Sequence, residues 1–364
     1  MPDKRLRPVA TAVPGVSIWY DFVTPAEERY LVEKIDAAGG GPLNAAAAAA
    51  AAGSDATTDT ADSPAGTADA AVTTQQRDGV EAATIDGTAG STPAVRKPSG
   101  WKDLNGRRSM YWGGTVTPSG SLVPAPFPTF MDSAWPNVID RIAETGVYDE
   151  WTGGKGNGKD RGPNHCLVNE YLPGQGIMPH TDGPAYLPCT STLSLGSHTI
   201  LHLRSKPAHL ASTSSDSAVA NGPSSDASAG DDRAASIAAV QKIDLFLPPR
   251  SLVVLTGALY SDWLHGIAPT GLDTVESLVA CANWDDWWRY QAETEADTPA
   301  STEETRGLPD ASPSSAGQST KERRMVEEGK GWERQRRISL TCRRVAGKVR
   351  NLGGLLGLVG TRRR

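Results

Sequence analysis

The sequence predicts an α+β domain whose main part is a β-sandwich or double-stranded barrel, carrying flanking N-terminal helices and disordered insertions. Three observations carry this reading. Helical patterns occupy the first part of the chain, apolar residues switch to a two-residue period after Pro163, and three blocks of Ala, Ser, Thr, Gly and Asp interrupt the pattern.

Residues 1–38 contain the strand-like "VSIWYDF", which starts at Val16, and continue into a helix of about four turns. Thr24 is its N-cap, Pro25 its first residue, and Gly39 its stop. Residues 39–97 form the first block, with "NAAAAAAAAG" at its head. It offers almost nothing to bury, so chain entropy is expected to keep it disordered.

Residues 98–207 contain "WKDLNGRRSMYWGG", then apolar residues at helical spacing over Ala134–Glu150 with an end at Gly146. The strand "HCLVNEYLPG" follows, placing Leu167, Asn169 and Tyr171 on one face and Cys166, Val168 and Glu170 on the other. "TSTLSLGSHTILHLRS" supplies further strands. The second block covers residues 208–240, and residues 241–290 resume with the strands of "KIDLFLPPRSLVVLTG". "NWDDWWRY", Asn283 to Tyr290, reads as a packing or protein-contact loop. The third block, 291–320, is acidic, and 321–364 hold a last strand, "RRISLTCRRV", and a basic tail.

Loops absorb added length at small closure cost, so the blocks are expected to be insertions rather than domains. Setting aside roughly 110 residues leaves about 250, enough for one domain with a sizeable core. The net charge of -6 is unevenly spread: residues 321–364 carry 14 Lys and Arg against 4 Glu, and residues 1–320 carry 22 against 38. The basic end suits phosphate or a solvated tail. Four cysteines stand far apart without a C-x-x-C pair, which predicts reduced thiols in the cytoplasm or nucleus. The N-terminus shows no signal-peptide h-region, and runs such as "SLVVLTGALY" are too short to span a bilayer, so a soluble chain without membrane contact is expected.

"MPHTDGP" places His180 and Asp182 two residues apart on a loop between strands, and "LYSDWLHGIAP" places His265 near the end of a later one. Two imidazoles and a carboxylate are the donor set that non-haem iron oxygenases use to hold Fe(II) while leaving positions open. In "RRISLTCRR", alternation puts Arg337, Ser339, Thr341 and Arg343 on one face. Arginines turned into a barrel are costly unless they meet an anion, and a guanidinium pairs with a carboxylate through two hydrogen bonds.

In these residues the chain resembles the AlkB family of Fe(II)- and 2-oxoglutarate-dependent dioxygenases, most closely its eukaryotic subfamily called AlkB homologue six. The resemblance rests on Asn164 to Leu203, on "PPRSLVVLTGALYSDWLHGI", on "RRISLTCRRV" and on "WKDLNGRRSMYWGG". It implies a double-stranded β-helix (jelly-roll) core, Fe(II) held by His180, Asp182 and His265, and O2 and 2-oxoglutarate as cosubstrates. It implies 2-oxoglutarate contacts at Asn169, Tyr171, Arg337 and Arg343. It also implies a substrate lid over "NGRRSMYWGG", where Arg107, Arg108, Tyr111 and Trp112 combine phosphate-binding and base-stacking side chains.

The implied reaction is oxidative demethylation of methylated RNA or DNA. A protein or small-molecule hydroxylase and a non-catalytic metal-binding module are the competing expectations. Two departures stand out: Ser339 lies where many AlkB relatives have Asn, and 72 residues separate His265 from Arg337. Arg289 and Arg336 therefore compete with Arg337 for the anion, and the alternation of Ser339 and Thr341 favours Arg337.

Overall fold

A computed structural model of the chain describes residues 5–40, 100–206, 240–296 and 328–348. Most of the three expected insertions and the tail beyond residue 348 lie outside these residues. Among the described residues no helix is long and apolar enough to cross a membrane.

The first helix spans Pro25–Gly39, as its end signals predict. The Thr24 hydroxyl accepts from the Glu27 amide at 3.2 Å, while the Thr24 amide donates to the Glu27 carboxylate at 2.7 Å. This reciprocal pair satisfies two of the donors that every helix start leaves open, worth about 1 kcal/mol. The terminating left-handed residue is Gly40, one past the expected Gly39. Leu31 and Ile35 bury the helix's inner face.

Two expectations are corrected here. The single helix over Ala134–Glu150 is broken into Val138–Glu144 and Asp149–Thr152. Pro136 lacks an amide hydrogen, and Asn137 adopts φ 54 to cap the first of these pieces by accepting from the Asp140 amide, so the helix starts late. Gly146, at φ 77, separates the two pieces. The "NWDDWWRY" loop is instead the start of a helix, Trp284–Ala296. Trp284, Trp287 and Tyr290 recur at helical spacing and are buried, while Asp285 and Asp286 sit in the first turn where the helix dipole favours them. The helix also carries order six residues past the boundary at 290, to Ala296.

Two antiparallel sheets make up the main body. The eight-stranded sheet runs Arg7–Pro8, Val16–Trp19, Leu252–Thr256, Tyr186–Leu195, Arg337–Val345, His165–Tyr171, Arg107–Trp112 and Lys102–Leu104 across its width. The four-stranded sheet runs Lys242–Leu247, Thr199–Ser205, Trp263–Ile267 and Ile177–His180. One face of the large sheet packs Cys166, Val168, Leu193, Ile338 and Leu340 against the helices through Leu31, Ile35 and Ile139. Its other face looks toward the small sheet, with Tyr171, Val253 and Leu255 in a second apolar cluster with Leu201, Leu203 and Leu245. The two-residue period of each strand therefore sorts side chains into a helix-facing layer and a layer between the sheets.

A buried polar cluster ties down the approach to the final strand. Arg334 donates from Nε and Nη2 to the two Asp273 oxygens at 2.7 and 2.8 Å, and His198 Nε2 lies 3.0 Å from the same carboxylate. Burial alone would raise the Asp273 pKa, but His198 and Arg334 outweigh it and hold the group at about 2. A carboxyl depressed below its ordinary value of 3.8 stabilises the fold above that pH and loses the contribution as pH falls toward 2. Asp273→Asn is expected to cost about 3 kcal/mol at neutral pH by leaving Arg334 unpaired in the interior. Denaturant unfolding at pH 5 and pH 2.5 should show a smaller acid loss in the variant; an equal loss would remove Asp273 from the account.

Candidate metal centre and cosubstrate pocket

The Ile177–His180 strand ends on His180, so the sequence reading of a pure loop is corrected: His180 is the last residue of an edge strand and only Asp182 lies beyond it. His265 sits opposite His180 in the neighbouring Trp263–Ile267 strand, as a direct cross-strand pair. Their ring centroids are 4.4 Å apart. Asp182 Oδ1 lies 3.8 Å from His265 Nε2, and one donor atom from each of the three residues falls within 4.8 Å of the other two.

The side chains fit a divalent metal. His180 Nδ1 is 2.8 Å from the Met178 carbonyl, which fixes the tautomer and leaves Nε2 as the free donor. Burial, opposed by the Asp182 carboxylate and aided by His180 and Arg343, pushes His265 down to about 4 and keeps it a neutral imidazole. Arg343 Nη1 donates to Asp182 Oδ1 at 2.7 Å, whereas the buried Asp182 Oδ2 has no hydrogen-bond partner. Such an oxygen is costly unless it meets a cation.

A cavity of about 280 Å³ opens from this triad between the sheets. Asn169, Tyr171, Arg337, Ser339, Thr341 and Arg343 line it from the large sheet. Arg337 is directly paired with Tyr171 and Ser339 with Asn169, so the faces read from alternation coincide. Arg337 Nη2 donates to Ser194 Oγ at 2.9 Å, but its Nε and Nη1 are buried without partners. Burial, aided by the nearby Arg334 charge and opposed by Tyr171, lowers its pKa to about 10. Buried guanidinium donors left without partners suit an anion such as a carboxylate. Arg336 is turned to the far face, where Glu170 and Asp36 hold it, and Arg289 pairs with Asp286 in a helix turn. Of the three competing arginines, only Arg337 lines the cavity.

The family model for the 2OG-Fe(II) oxygenase superfamily matches residues 114–343. The chain belongs to the 2OG-Fe(II) oxygenase superfamily. Members bind Fe(II) and 2-oxoglutarate and use O2, and the triad and Arg337 supply donors of the kinds those groups need. The chain is 32% identical over 167 residues to "Probable RNA/DNA demethylase ALKBH6" of Danio rerio, covering 46% of this chain and 57% of that protein. It is 29% identical over 142 residues to "Uncharacterized protein L905" of Acanthamoeba polyphaga mimivirus, covering 38% and 50%. The chain thus spans about half the length of the curated relatives it matches. A solved structure, "The structure of OsALKBH1", aligns with TM-score 0.35 at 13% identity, covering 92% of this chain and all of that one.

The expected lid residues divide between two faces. Arg107 and Tyr111 line the cavity, and Arg107 Nε donates to Asn169 Oδ1 at 3.2 Å. Tyr111, half-exposed, stacks on His165 at 5.6 Å. Arg108 and Trp112 point the other way, because neighbours on the Arg107–Trp112 strand must alternate. Arg108 is buried against the fully buried Glu170 and over the Trp101 ring, and Trp112 packs edge-on against Phe130. The structure therefore does not bring Arg108 and Trp112 to the cavity.

Some participants were not singled out from sequence. Thr190, Thr192 and Ser194 line one face of the Tyr186–Leu195 strand, and the first two line the cavity. Their two-residue spacing in "TSTLS" was a usable signal. Tyr186 carries the Arg343 guanidinium over its ring at 4.1 Å, and nothing local in the sequence links these two.

Proposed function

We propose that the chain is an Fe(II)- and 2-oxoglutarate-dependent dioxygenase that oxidatively demethylates N-alkylated nucleic acid, RNA or DNA. The carrying observation is the convergence, on one cavity, of the His180, Asp182 and His265 donors with the unpartnered nitrogens of Arg337. Two antiparallel sheets around that cavity support a double-stranded β-helix (jelly-roll) core. The printed name of the Danio rerio relative, an RNA/DNA demethylase, and the exposed Tyr111 beside Arg107 at the cavity support a nucleic-acid substrate. Four free buried cysteines fit a cytoplasmic or nuclear setting.

In this reading His180, Asp182 and His265 hold the metal, and Arg343 orients Asp182 by binding its Oδ1. Arg337 takes the distal carboxylate of 2-oxoglutarate, with Asn169, Tyr171 and the Arg343 nitrogen left free of Asp182 on the same wall. When bound, iron and 2-oxoglutarate would let O2 be split between two products, one oxygen atom going to 2-oxoglutarate, which would leave as succinate and CO2, and the other to an N-methyl carbon, which would then leave as formaldehyde. The protein's share is to hold these groups, exclude water with the apolar walls of Leu201, Leu247, Val253 and Ile267, and place one C–H bond.

A succinate and formaldehyde assay across methylated RNA, methylated DNA and peptides tests the reading. Formaldehyde release stimulated by a methylated oligonucleotide is expected. A mass gain on a peptide without formaldehyde from any oligonucleotide would replace demethylation with protein hydroxylation. Absence of succinate from iron-loaded protein would leave only a binding module.

A further inference from the structure

The cavity's charge sets what its substrate is able to carry. Its described lining residues include three guanidinium groups, Arg107, Arg337 and Arg343, and one carboxylate, Asp182. Asp182 is already engaged, accepting from Arg343 and offering its other oxygen to the triad's metal. The two positive charges of Fe(II) and the two negative charges of 2-oxoglutarate cancel, so loading the site leaves the excess of guanidinium unchanged.

Neighbouring carboxylates are turned away from the cavity. Glu170, next to Asn169, faces the helix layer and is held by Arg108 and Arg336. Asp36 pairs with Arg336, and Asp273 with Arg334. Gly183 and Pro184 follow Asp182 and bring no charge. The aromatic wall offers a cation little in return. The face of Tyr186 is covered by Arg343, and His165 is pushed down to about 4 by burial and by Arg343, hence neutral. The Tyr171 ring already lies under Arg337, and a cation over the half-exposed Tyr111 gains little.

Resting on the nucleic-acid reading above, we propose that this cavity selects bases methylated on an uncharged nitrogen, such as an exocyclic amine, and rejects bases made cationic by ring-nitrogen methylation, with Arg107 as the specificity-determining residue. Arg107 is suited to that role by position. Arg337 faces the carboxylate of the cosubstrate and Arg343 is paired with Asp182, whereas Arg107 binds only the neutral Asn169 amide among its described hydrogen bonds. Its charge is the one left facing an incoming base. Like charges across a partly desolvated pocket repel by amounts that an unpaired carboxylate would reverse.

The test uses full-length protein loaded with Fe(II) and 2-oxoglutarate under argon, so that binding is read without turnover. Three single-stranded oligonucleotides differ at one position: adenine, N6-methyladenine, which is neutral, and 1-methyladenine, which is cationic at neutral pH. Fluorescence anisotropy gives their dissociation constants, and phosphate contacts common to all three cancel in the ratios. The neutral methylated strand is expected to bind about tenfold more tightly than the cationic one. Arg107→Glu is expected to erase or invert that ratio, and Arg107→Gln to bring it to about threefold, an intermediate value. Because each ratio is internal to one protein, a general loss of folding cannot imitate the reversal.

Equal binding of the two methylated strands, preference for the cationic one, or a ratio indifferent to Arg107→Glu overturns the charge selection and leaves the nucleic-acid reading standing. Failure of both methylated strands to bind better than plain adenine removes that reading, and the selection with it.

Discussion

His180→Ala is expected to lower 2-oxoglutarate turnover by more than about 100-fold, since loss of a mere partner of a metal ligand already costs about 10- to 100-fold. His180 ends an edge strand and its ring is partly open, so its removal should spare the fold. What disappears is one of three donors that otherwise gather within 4.8 Å. His265 and Asp182 remain beside each other, but a pair of ligands does not hold a divalent ion as a triad does. The measurement is succinate formation at saturating 2-oxoglutarate, alongside bound iron by elemental analysis and far-ultraviolet circular dichroism. Full iron content and unchanged turnover in a folded variant would move the metal centre elsewhere.

Arg337→Met is expected to raise the KM for 2-oxoglutarate by about 100-fold, the equivalent of about 3 kcal/mol for a buried charge-assisted contact. The same change should leave the cosubstrate-free protein at least as stable. Arg337 is buried with Nε and Nη1 unpartnered, and burial depresses its pKa to about 10, so the charged side chain is a cost to the fold. A base whose folded pKa is lowered binds its proton less readily in the native state, and removing it relieves that cost at every pH below about 10. Thermal melts provide the second readout. Added 2-oxoglutarate should raise the wild-type Tm and shift the variant far less at the same concentration. A variant that melts lower and binds 2-oxoglutarate normally would make Arg337 a structural residue and nothing more.

These two experiments probe different kinds of legibility. Strand alternation was readable because side chains on an extended backbone must point to opposite faces. Asn169 and Tyr171 were thereby separated from Glu170, and Arg337, Ser339, Thr341 and Arg343 were grouped, as the pairing of the two strands bears out. The first helix was legible through Thr24, Pro25 and Glu27, whose capping contacts are local. In "GRRSMYWGG" the same alternation divides Arg107 and Tyr111 from Arg108 and Trp112.

The helix at Trp284–Ala296 was missed for another reason. Its tryptophans look like an aromatic patch until Phe246 and Trp332 arrive from distant strands to bury them. The break at Pro136 and Asn137 likewise lay under a longer apolar period that suggested one helix.

By itself the sequence determined which residue types were available and which face of each strand they shared, because propensity, capping and alternation act over a few residues. Only the tertiary structure decided that His265 lies opposite His180, that Arg343 grips Asp182, and that Arg337 and the three donors share one cavity. Strand partners and register are chosen by the burial of whole faces against distant segments, and a one-residue slip would turn every side chain to the other side.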